Sequence, residues 1–311
     1  MKHIHVLLFY KYVRIEDPLS FKESHLDFCK DIGLRGRILV AEEGINGSVA
    51  GTEEQVEAYK SELRRDNRFA DIIFKEDLSI SIPFKKMIIK IKKEIVNFGQ
   101  EVNLAHTGKN LTPQEFLDIY NKENEKIGKE IIILDARNKY ESHVGKFKGA
   151  LTPQIKTFRE FPKVAQELQD KKDKKIIMYC TGGIRCEKAS AYFRQQGFKD
   201  VSQLKGGILS FGKEFPDTIW EGTCFVFDKR LKSNVNSENK PITSCELCGI
   251  ACDLYKNCSE FSCDTFCTIC IQCEQLYGGC CSKKCFELKR ETTQLQCSSP
   301  KRADDFLLHL Q

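Results

Sequence analysis

No stretch of the chain is long and apolar enough to cross a bilayer. The apolar run near the start, Val6-Leu7-Leu8-Phe9-Tyr10, is shorter than the core of a secretion signal and lacks a small-residue cleavage site after it. Cytoplasmic residence without membrane attachment is the expectation. Histidine is scarce: His3, His5, His25, His106, His143 and His309 are the whole supply, and no spacing among them suggests the two-histidine, one-carboxylate site of an iron oxygenase. No G-x-G-x-x-G fingerprint occurs, so no flavin, nicotinamide or iron site is expected. Internal repeats and long low-complexity tracts are absent as well. Excess charge of one sign is small, +5 from 49 Lys and Arg against 44 Asp and Glu. That is too little to identify a nucleic-acid binder, though it permits a local basic surface facing a polyanion. Cysteine is thin through most of the chain, since only Cys29, Cys180, Cys186 and Cys224 of the 16 precede residue 245.

What is present reads as a folded protein. At 311 residues, with 41% hydrophobic and 30% charged residues, the chain has material for two domains and an appendage. A strand over residues 3–10, a helix from Pro18 to Gly33, and a strand from Gly36 to Ala50 broken by the turn signal Glu43-Gly44-Ile45-Asn46-Gly47 come first. A second helix starts at Thr52, where Thr52-x-x-Gln55 forms a capping box, and runs to about Asp66. Strands at Ala70–Glu76 and Met87–Val96 complete a β-α-β(β)-α-β order, that of a ferredoxin-like (acylphosphatase-like) α+β sandwich. In the last strand, alternation sets Met87, Ile89 and Ile91 against Lys86, Lys90 and Lys92. The lysine face is either a solvated, protected sheet edge or a phosphate track.

The middle of the chain changes pattern. Thr112, Pro113 and Glu115 open a helix that runs to about Asn121, while Ile131-Ile132-Ile133-Leu134 and Lys175-Ile176-Ile177-Met178-Tyr179 are continuous apolar runs that end in Asp135 and Cys180. Such runs, alternating with helices, predict parallel strands covered on both faces, with ligands beyond their carboxyl ends. Cys180-Thr181-Gly182-Gly183-Ile184-Arg185-Cys186 then joins a strand to a helix over about Cys186–Gly197. The glycines let backbone amides converge, the helix amino end adds partial positive charge, and Arg185 strengthens the same field. A thiol at the head of that loop is expected to ionise easily and act as a nucleophile. The bland reading is a buried cysteine that only packs.

Leu134-Asp135-Ala136-Arg137, Glu141, Gly149-Ala150, the Cys180–Arg185 loop, Gly197-Phe198 and Leu204-Lys205-Gly206-Gly207-Ile208 together resemble a rhodanese domain over residues 111–222. In that family the loop cysteine accepts sulfur as a persulfide, and the related phosphatases carry a loop one residue longer, so phosphatase chemistry is disfavoured. Cys186 departs from the ordinary rhodanese loop: it either resolves an oxidised Cys180 or simply fills the first helical turn. Asp135 and Arg137 are expected to brace the loop through a charge-assisted hydrogen bond.

The likeness extends outward. Arg35-Gly36-Arg37-Ile38, Glu42-Glu43-Gly44-Ile45-Asn46-Gly47, Gly51 and Thr223-Cys224-Phe225-Val226-Phe227-Asp228 resemble the rhodanese-related tRNA uridine hydroxylases, the TrhO family. That resemblance implies tRNA as partner, molecular oxygen as co-substrate and 5-hydroxyuridine at the wobble position as product. With no redox cofactor in view, the expected chemistry is addition of the Cys180 thiolate to uracil C6, which makes C5 electron-rich enough to meet oxygen. Arg35, Arg37, Glu43, Asn46, Lys86, Lys90 and Lys92 are the candidate RNA contacts. A sulfurtransferase carrying persulfide on Cys180 is the alternative activity, and a zinc-dependent RNA-binding scaffold the non-enzymatic one.

Composition turns polar over residues 229–244, as in a linker, and twelve cysteines follow. In a reducing compartment C-x-x-C pairs read as metal knuckles rather than disulfides. Cys245, Cys248, Cys270 and Cys273 are assigned to one structural zinc, and Cys258, Cys263, Cys281 and Cys285 to another, with an iron–sulfur cluster as a minor option. Cys252, Cys267, Cys280 and Cys297 are left over. The expected plan is 1–98 ferredoxin-like, 99–228 rhodanese, 229–244 linker, 245–285 zinc module and 286–311 tail, whose apolar Phe306-Leu307-Leu308 is suited to docking.

Overall fold

The computed structural model describes residues 3–124, 131–238, 240–263 and 265–297. The chain forms two compact units, Met1–Lys240 and Pro241–Gln311. Phe306-Leu307-Leu308 lies outside the described residues.

The first unit opens with β1 (Ile4–Tyr12), α1 (Pro18–Asp31), β2 (Arg35–Ala41), β3 (Gly44–Gly51), α2 (Glu53–Arg65), β4 (Phe74–Ser79) and β5 (Met87–Ile91). They build one sheet of order β4-β1-β3-β2-β5, antiparallel except where β5 joins β2. The helices start where the sequence puts caps. Asp17 accepts from the Leu19 and Ser20 amides at 3.0 Å each, and the Thr52–Gln55 box closes with bonds of 2.8 and 3.4 Å. Both helices cover one face, burying Leu7, Phe9, Ile38, Val40, Val49, Tyr59 and Phe69. Gly44 in the β2–β3 turn has φ +138°, and a Cβ there would sit 2.0 Å from the Lys11 carbonyl oxygen, so only glycine fits.

Two strands differ from the sequence reading. The one expected from Ala70 begins at Phe74, because a single 3-10 turn over Asn67–Phe69, capped by Asp66, first drives Phe69 and Ile72 into the core. The one expected to reach Val96 stops at Ile91, beyond which Ile95 turns back so that its amide meets the Glu43 carboxylate at 2.7 Å.

The rhodanese-like half comprises β6 (Lys109–Leu111), α3 (Pro113–Asn124), β7 (Ile131–Asp135), α4 (Lys139–Val144), β8 (Gly145–Phe147), α5 (Pro162–Glu167), β9 (Lys175–Tyr179), α6 (Ile184–Gln195), β10 (Asp200–Leu204) and α7 (Gly207–Glu214). Its sheet is fully parallel, in the order β6-β10-β9-β7. Ile176, Ile177, Met178 and Tyr179 are completely buried, which is why β9 is apolar at consecutive positions rather than alternating. Pairing of Asp135 with Tyr179 puts the ends of β7 and β9 side by side.

After β11 (Trp220–Gly222) and β12 (Cys224–Phe225), the polar stretch read as a linker is tied down by the side chains that made it look soluble. β13 (Lys232–Ser233) pairs with β12, Arg230 and Ser233 bond Asp77 at 2.7 and 2.9 Å, and Asn236 donates to the Trp220 carbonyl at 2.9 Å. The second unit holds β14 (Tyr255–Asn257), β15 (Phe266–Thr268), α8 (Ile271–Leu276) and α9 (Lys283–Cys297) around a core made mostly of cysteines.

A buried ion network joins the two halves of the first unit. Lys188 on α6, 3% exposed, meets Glu43 and Glu94 of the N-terminal half at 2.8 Å each. Removing the cation leaves two carboxylates facing each other in a half-buried seam. Lys188→Ala is therefore expected to lower the unfolding free energy by about 2 kcal/mol, short of the roughly 3–5 of a fully buried pair because both glutamates keep some contact with water. Urea denaturation checks this, and an unchanged midpoint would show that the seam contributes nothing.

Candidate active site and cysteine clusters

Cys180 sits directly after β9, and its surroundings follow from where the loop's carbonyl groups go. Ile208 and Leu209, in the first turn of α7, donate backbone bonds to the Cys180 and Thr181 carbonyls at 3.0 and 3.1 Å. Gly207 makes this approach feasible: at φ +65°, a Cβ would lie 2.3 Å from the Cys180 oxygen. With the carbonyls held on one side, the amides turn to the other. Gly183, at φ +104°, donates its N–H to Cys180 Sγ at 3.1 Å.

Burial alone pushes the Cys180 thiol up. The Cys186 thiol hydrogen bond, the Arg185 charge and the Arg185 and Gly183 amides outweigh that cost and bring it down to about 5. Cys186, in the first turn of α6, is held well above the usual thiol range by burial and by the hydrogen bond and charge of its neighbour, so it stays a protonated donor. Arg185 is fixed by two bonds to Glu141, at 2.5 and 2.8 Å, and by Thr181 Oγ1 at 3.3 Å. Arg137 grips Asp135 through Nε at 2.9 Å and Nη2 at 2.7 Å and reaches the Gly145 carbonyl. The Ala136 amide then bonds the Tyr179 carbonyl at 2.8 Å, locking the two strand ends that carry the loop.

Sequence reasoning missed the other wall of the site. Leu8 and Tyr10, on the face of β1 opposite its helices, lie across the loop, so near that a Cβ on Gly182 would be 2.9 Å from Leu8 and one on Gly183 would be 2.8 Å from the Tyr10 hydroxyl. Tyr10 donates to Glu187 at 3.2 Å, and Lys75 on β4 stands over the Tyr10 ring, Nζ 5.2 Å from its centroid. Burial lowers Lys75 to about 8, against the opposing pull of Cys180 and Glu187. The unbroken apolar run Val6–Tyr10 was the available signal, since a strand apolar at successive positions has both faces covered.

Between these walls lies a cavity of about 510 Å³, lined among others by Arg37, Asn46, Lys75, Cys180, Thr181, Gly182, Ile184 and Arg185. Cys180 borders it, but its side chain is wholly covered in this arrangement. Asn46 bonds the Ile95 carbonyl at 2.9 Å, and Glu43 is engaged by Lys188. Arg35, Arg37, Lys86, Lys90 and Lys92 are exposed. Cross-strand register places Lys75, Leu8, Ser48, Arg37 and Ile88 in one row over the sheet, and Tyr10, Asn46, Leu39 and Lys90 in the next, so the basic residues of β2 and β5 continue the face that caps the cysteine.

In the second unit two groups of four sulfurs gather, each with all Sγ atoms within 4.8 Å of one another: Cys245, Cys248, Cys270 and Cys273, and Cys258, Cys263, Cys281 and Cys285. A zinc–sulfur bond of about 2.3 Å implies tetrahedral edges of about 3.8 Å. Cys248–Cys270 at 3.6 Å, Cys263–Cys281 at 3.7 Å and Cys281–Cys285 at 3.6 Å are close to that length and far from a disulfide. Amide bonds from Cys273 to Cys270 Sγ and from Cys281 to Cys258 Sγ steady the thiolates. The donor sets fit structural zinc, and four sulfurs leave no open position for catalysis. Cys252, Cys267 and Cys280 stand outside both groups, and nothing is described for the Cys297 side chain.

A parallel sheet ending in an ionised cysteine that is held by the Gly183 and Arg185 amides defines the rhodanese class, and residues 112–214 match the rhodanese-like domain family. Residues 4–95 match the UPF0176 acylphosphatase-like domain, and 221–286 the rhodanase C-terminal family. The tRNA uridine(34) hydroxylase of Bacillus licheniformis is 44% identical over 90% of this chain and 87% of its own. That of Staphylococcus carnosus is 43% identical over 92% and 90%, and that of onion yellows phytoplasma 42% identical over 90% and 91%. The chain belongs to the tRNA uridine(34) hydroxylase family. No helix among the described residues is long and apolar enough to cross a membrane.

Two measurements follow. A depressed thiol pKa means that the thiolate persists as pH falls and is lost only below the folded value, so alkylation of Cys180 by iodoacetamide, read on its peptide by mass spectrometry, should have a midpoint near 5 in the folded protein. In the unfolded chain the midpoint should return to about 8.5, and identical midpoints in both states would contradict the loop electrostatics. Elemental analysis should find two zinc ions per chain, one for each sulfur group, with Cys270→Ser losing one and chelation unfolding residues 241–297.

Proposed function

We propose that the chain hydroxylates C5 of the uridine at position 34 of tRNA, with Cys180 as nucleophile and molecular oxygen as co-substrate. The observation that carries this reading is the placement of an ionised, amide-cradled Cys180 beside a ligand-sized cavity that both halves of the first unit build. Family membership points the same way. The thiolate pair forms a bond to C6, and the C5–C6 π pair moves onto the C4 carbonyl. C5 of the resulting enolate attacks dioxygen, and two electrons and two protons from a thiol reductant leave one oxygen on C5 and release the other as water. Loss of the C5 proton expels Cys180 and restores the ring. Arg185 keeps the sulfur anionic, and Asp135 with Arg137 holds the loop in place.

The substrate surface is the basic sheet face. Arg35, Arg37, Lys86, Lys90 and Lys92 would follow the phosphates of a single-stranded anticodon loop while one base leaves its stack for the cavity. Glu43 and Asn46 shape the edge of the site from within, since both are bonded to protein groups. Because the sulfur is covered, the base must displace side chains over the loop, a modest local adjustment of the kind binding often brings. Such chemistry belongs in the cytoplasm, where tRNA and reduced thiols coexist.

Cells lacking the protein should lose 5-hydroxyuridine from tRNA nucleosides, and labelled dioxygen, not labelled water, should mark the product. Cys180→Ser is expected to abolish both. Unchanged hydroxyuridine with altered thiouridine would transfer the assignment to sulfur transfer, and retained hydroxylation in Cys180→Ser would remove the nucleophile.

A further inference from the structure

One buried charge beside the cysteine has no hydrogen-bonded or ion-paired partner among the described residues. Lys75 is 9% exposed, lines the cavity, and forms no side-chain hydrogen bond or ion pair with any described residue, its one ring contact being with Tyr10. Its methylene stem runs along the active loop: a Cβ on Gly206 would be 3.5 Å from Lys75 Cε, and one on Gly182 would be 3.9 Å from its Cδ. The other buried cations among the described residues of this unit are paired, Arg137 with Asp135, Arg185 with Glu141 and Lys188 with Glu43 and Glu94. A buried ammonium with no bonded anion is costly, and a perturbed lysine of this kind lining a cavity marks a place where an anion can form during function.

Resting on the hydroxylase reading, we propose that Lys75 is a further catalytic residue, the donor that holds the oxyanion formed on the uracil ring when Cys180 adds to C6. The electron count fixes where that anion must be. The sulfur lone pair becomes the S–C6 bond, the π pair passes to the C4 oxygen, and the negative charge that left sulfur reappears there. Lys75 donates its hydrogen bond to that oxygen and needs no net proton transfer. When the S–C6 bond breaks, the pair returns to sulfur. The ammonium, near the thiolate in the resting site, faces the enolate as charge moves off the sulfur, so its field is never wasted on solvent. Burial also keeps its proton more loosely held than that of a surface lysine, which suits a strong donor to an enolate.

The addition can be watched without oxygen. Under strict anaerobiosis in heavy water, an enolate that forms and reverts takes deuterium at C5, so tRNA incubated with the full-length protein should exchange that hydrogen. Cys180→Ser should not exchange it. Lys75→Met is expected to slow the exchange about 100-fold, the usual effect of losing one oxyanion donor, with Lys75→Arg partly restoring it. The same Lys75→Met protein should bind tRNA as tightly as before and melt no lower, because a buried charge without a bonded partner has been replaced by an apolar chain of similar length, while the Cys180 alkylation midpoint should rise only as far as the lost Lys75 charge requires and stay well below that of the unfolded chain. Exchange at the normal rate in Lys75→Met overturns the assignment. Loss of exchange that tracks a loss of tRNA affinity, or that is restored by assaying above the raised alkylation midpoint, overturns it too, by making Lys75 a substrate contact or a thiolate stabiliser. A normal protein that hydroxylates in air yet shows no anaerobic exchange would instead sink the thiolate-addition step itself, leaving the two failures distinct.

Discussion

The direction of two carbonyl groups governs this structure. Cys180 and Thr181 could not present their loop's amides to a sulfur unless their own oxygens were satisfied elsewhere, since a buried, unpaired carbonyl costs as much as the hydrogen bond it lacks. The first turn of α7 supplies the donors, at 3.0 and 3.1 Å, and it comes that close only because Gly206 and Gly207 adopt φ of +76° and +65° without side chains in the way. The glycine pair after β10 is therefore as much a part of the thiol's chemistry as the pair inside the loop. The Cys186 hydrogen bond and the Arg185 charge, itself held in place by Glu141, add to the field of the amides.

The same glycines set the shape of the cavity. Gly182 and Gly183 have no side chains, so β1 can lay Leu8 and Tyr10 against them, and the N-terminal sheet becomes the roof of a site whose floor is the rhodanese loop. Lys188 pins that roof through Glu43 and Glu94, while Arg230 and Ser233 pin its far edge through Asp77. Because strand register is continuous, any side chain on the capping rows is displayed at a fixed distance from the sulfur. A polyanion bound along Arg37 and Lys90 would be in register with the thiolate rather than merely near it.

Local pattern was enough for much of this. The caps at Thr52 and Thr112, the continuous β7 and β9 runs, the ferredoxin-like order and the Cys180–Arg185 loop are all written within a few consecutive residues, and so are the cysteine pairs. Tyr10, Lys75, Glu187 and the Arg185–Glu141 pairing were not legible in that way. Their roles arise between segments far apart in the chain, such as Tyr10 and Glu187, 177 positions apart. Glu43 shows the same limit from the other side: its place in a glycine-rich turn drew attention to RNA, whereas its carboxylate is occupied by Lys188 and the Ile95 amide. The polar stretch after residue 228 is ambiguous for a related reason, because serine and asparagine solvate a free tether and anchor a bound one equally well.

The cysteines make a controlled comparison of what an environment does to one functional group. Cys29, Cys224 and Cys180 are all deeply buried, and burial pushes each thiol up; Cys29 and Cys224 accordingly reach about 12, while Cys180 falls to about 5. Since the desolvation has the same sign in every case, the difference belongs to the loop, the Cys186 proton and the Arg185 charge. In the second unit the same group is placed differently, with four sulfurs gathered about a point where a dication would satisfy them. A sulfur that must react needs donors that stabilise its charge without bonding to it irreversibly, and backbone amides meet that condition where a metal would not. One chain can thus hold a nucleophile and eight metal-type ligands without confusing them, because an amide nest favours a single anion and a tetrahedral sulfur cage favours a cation.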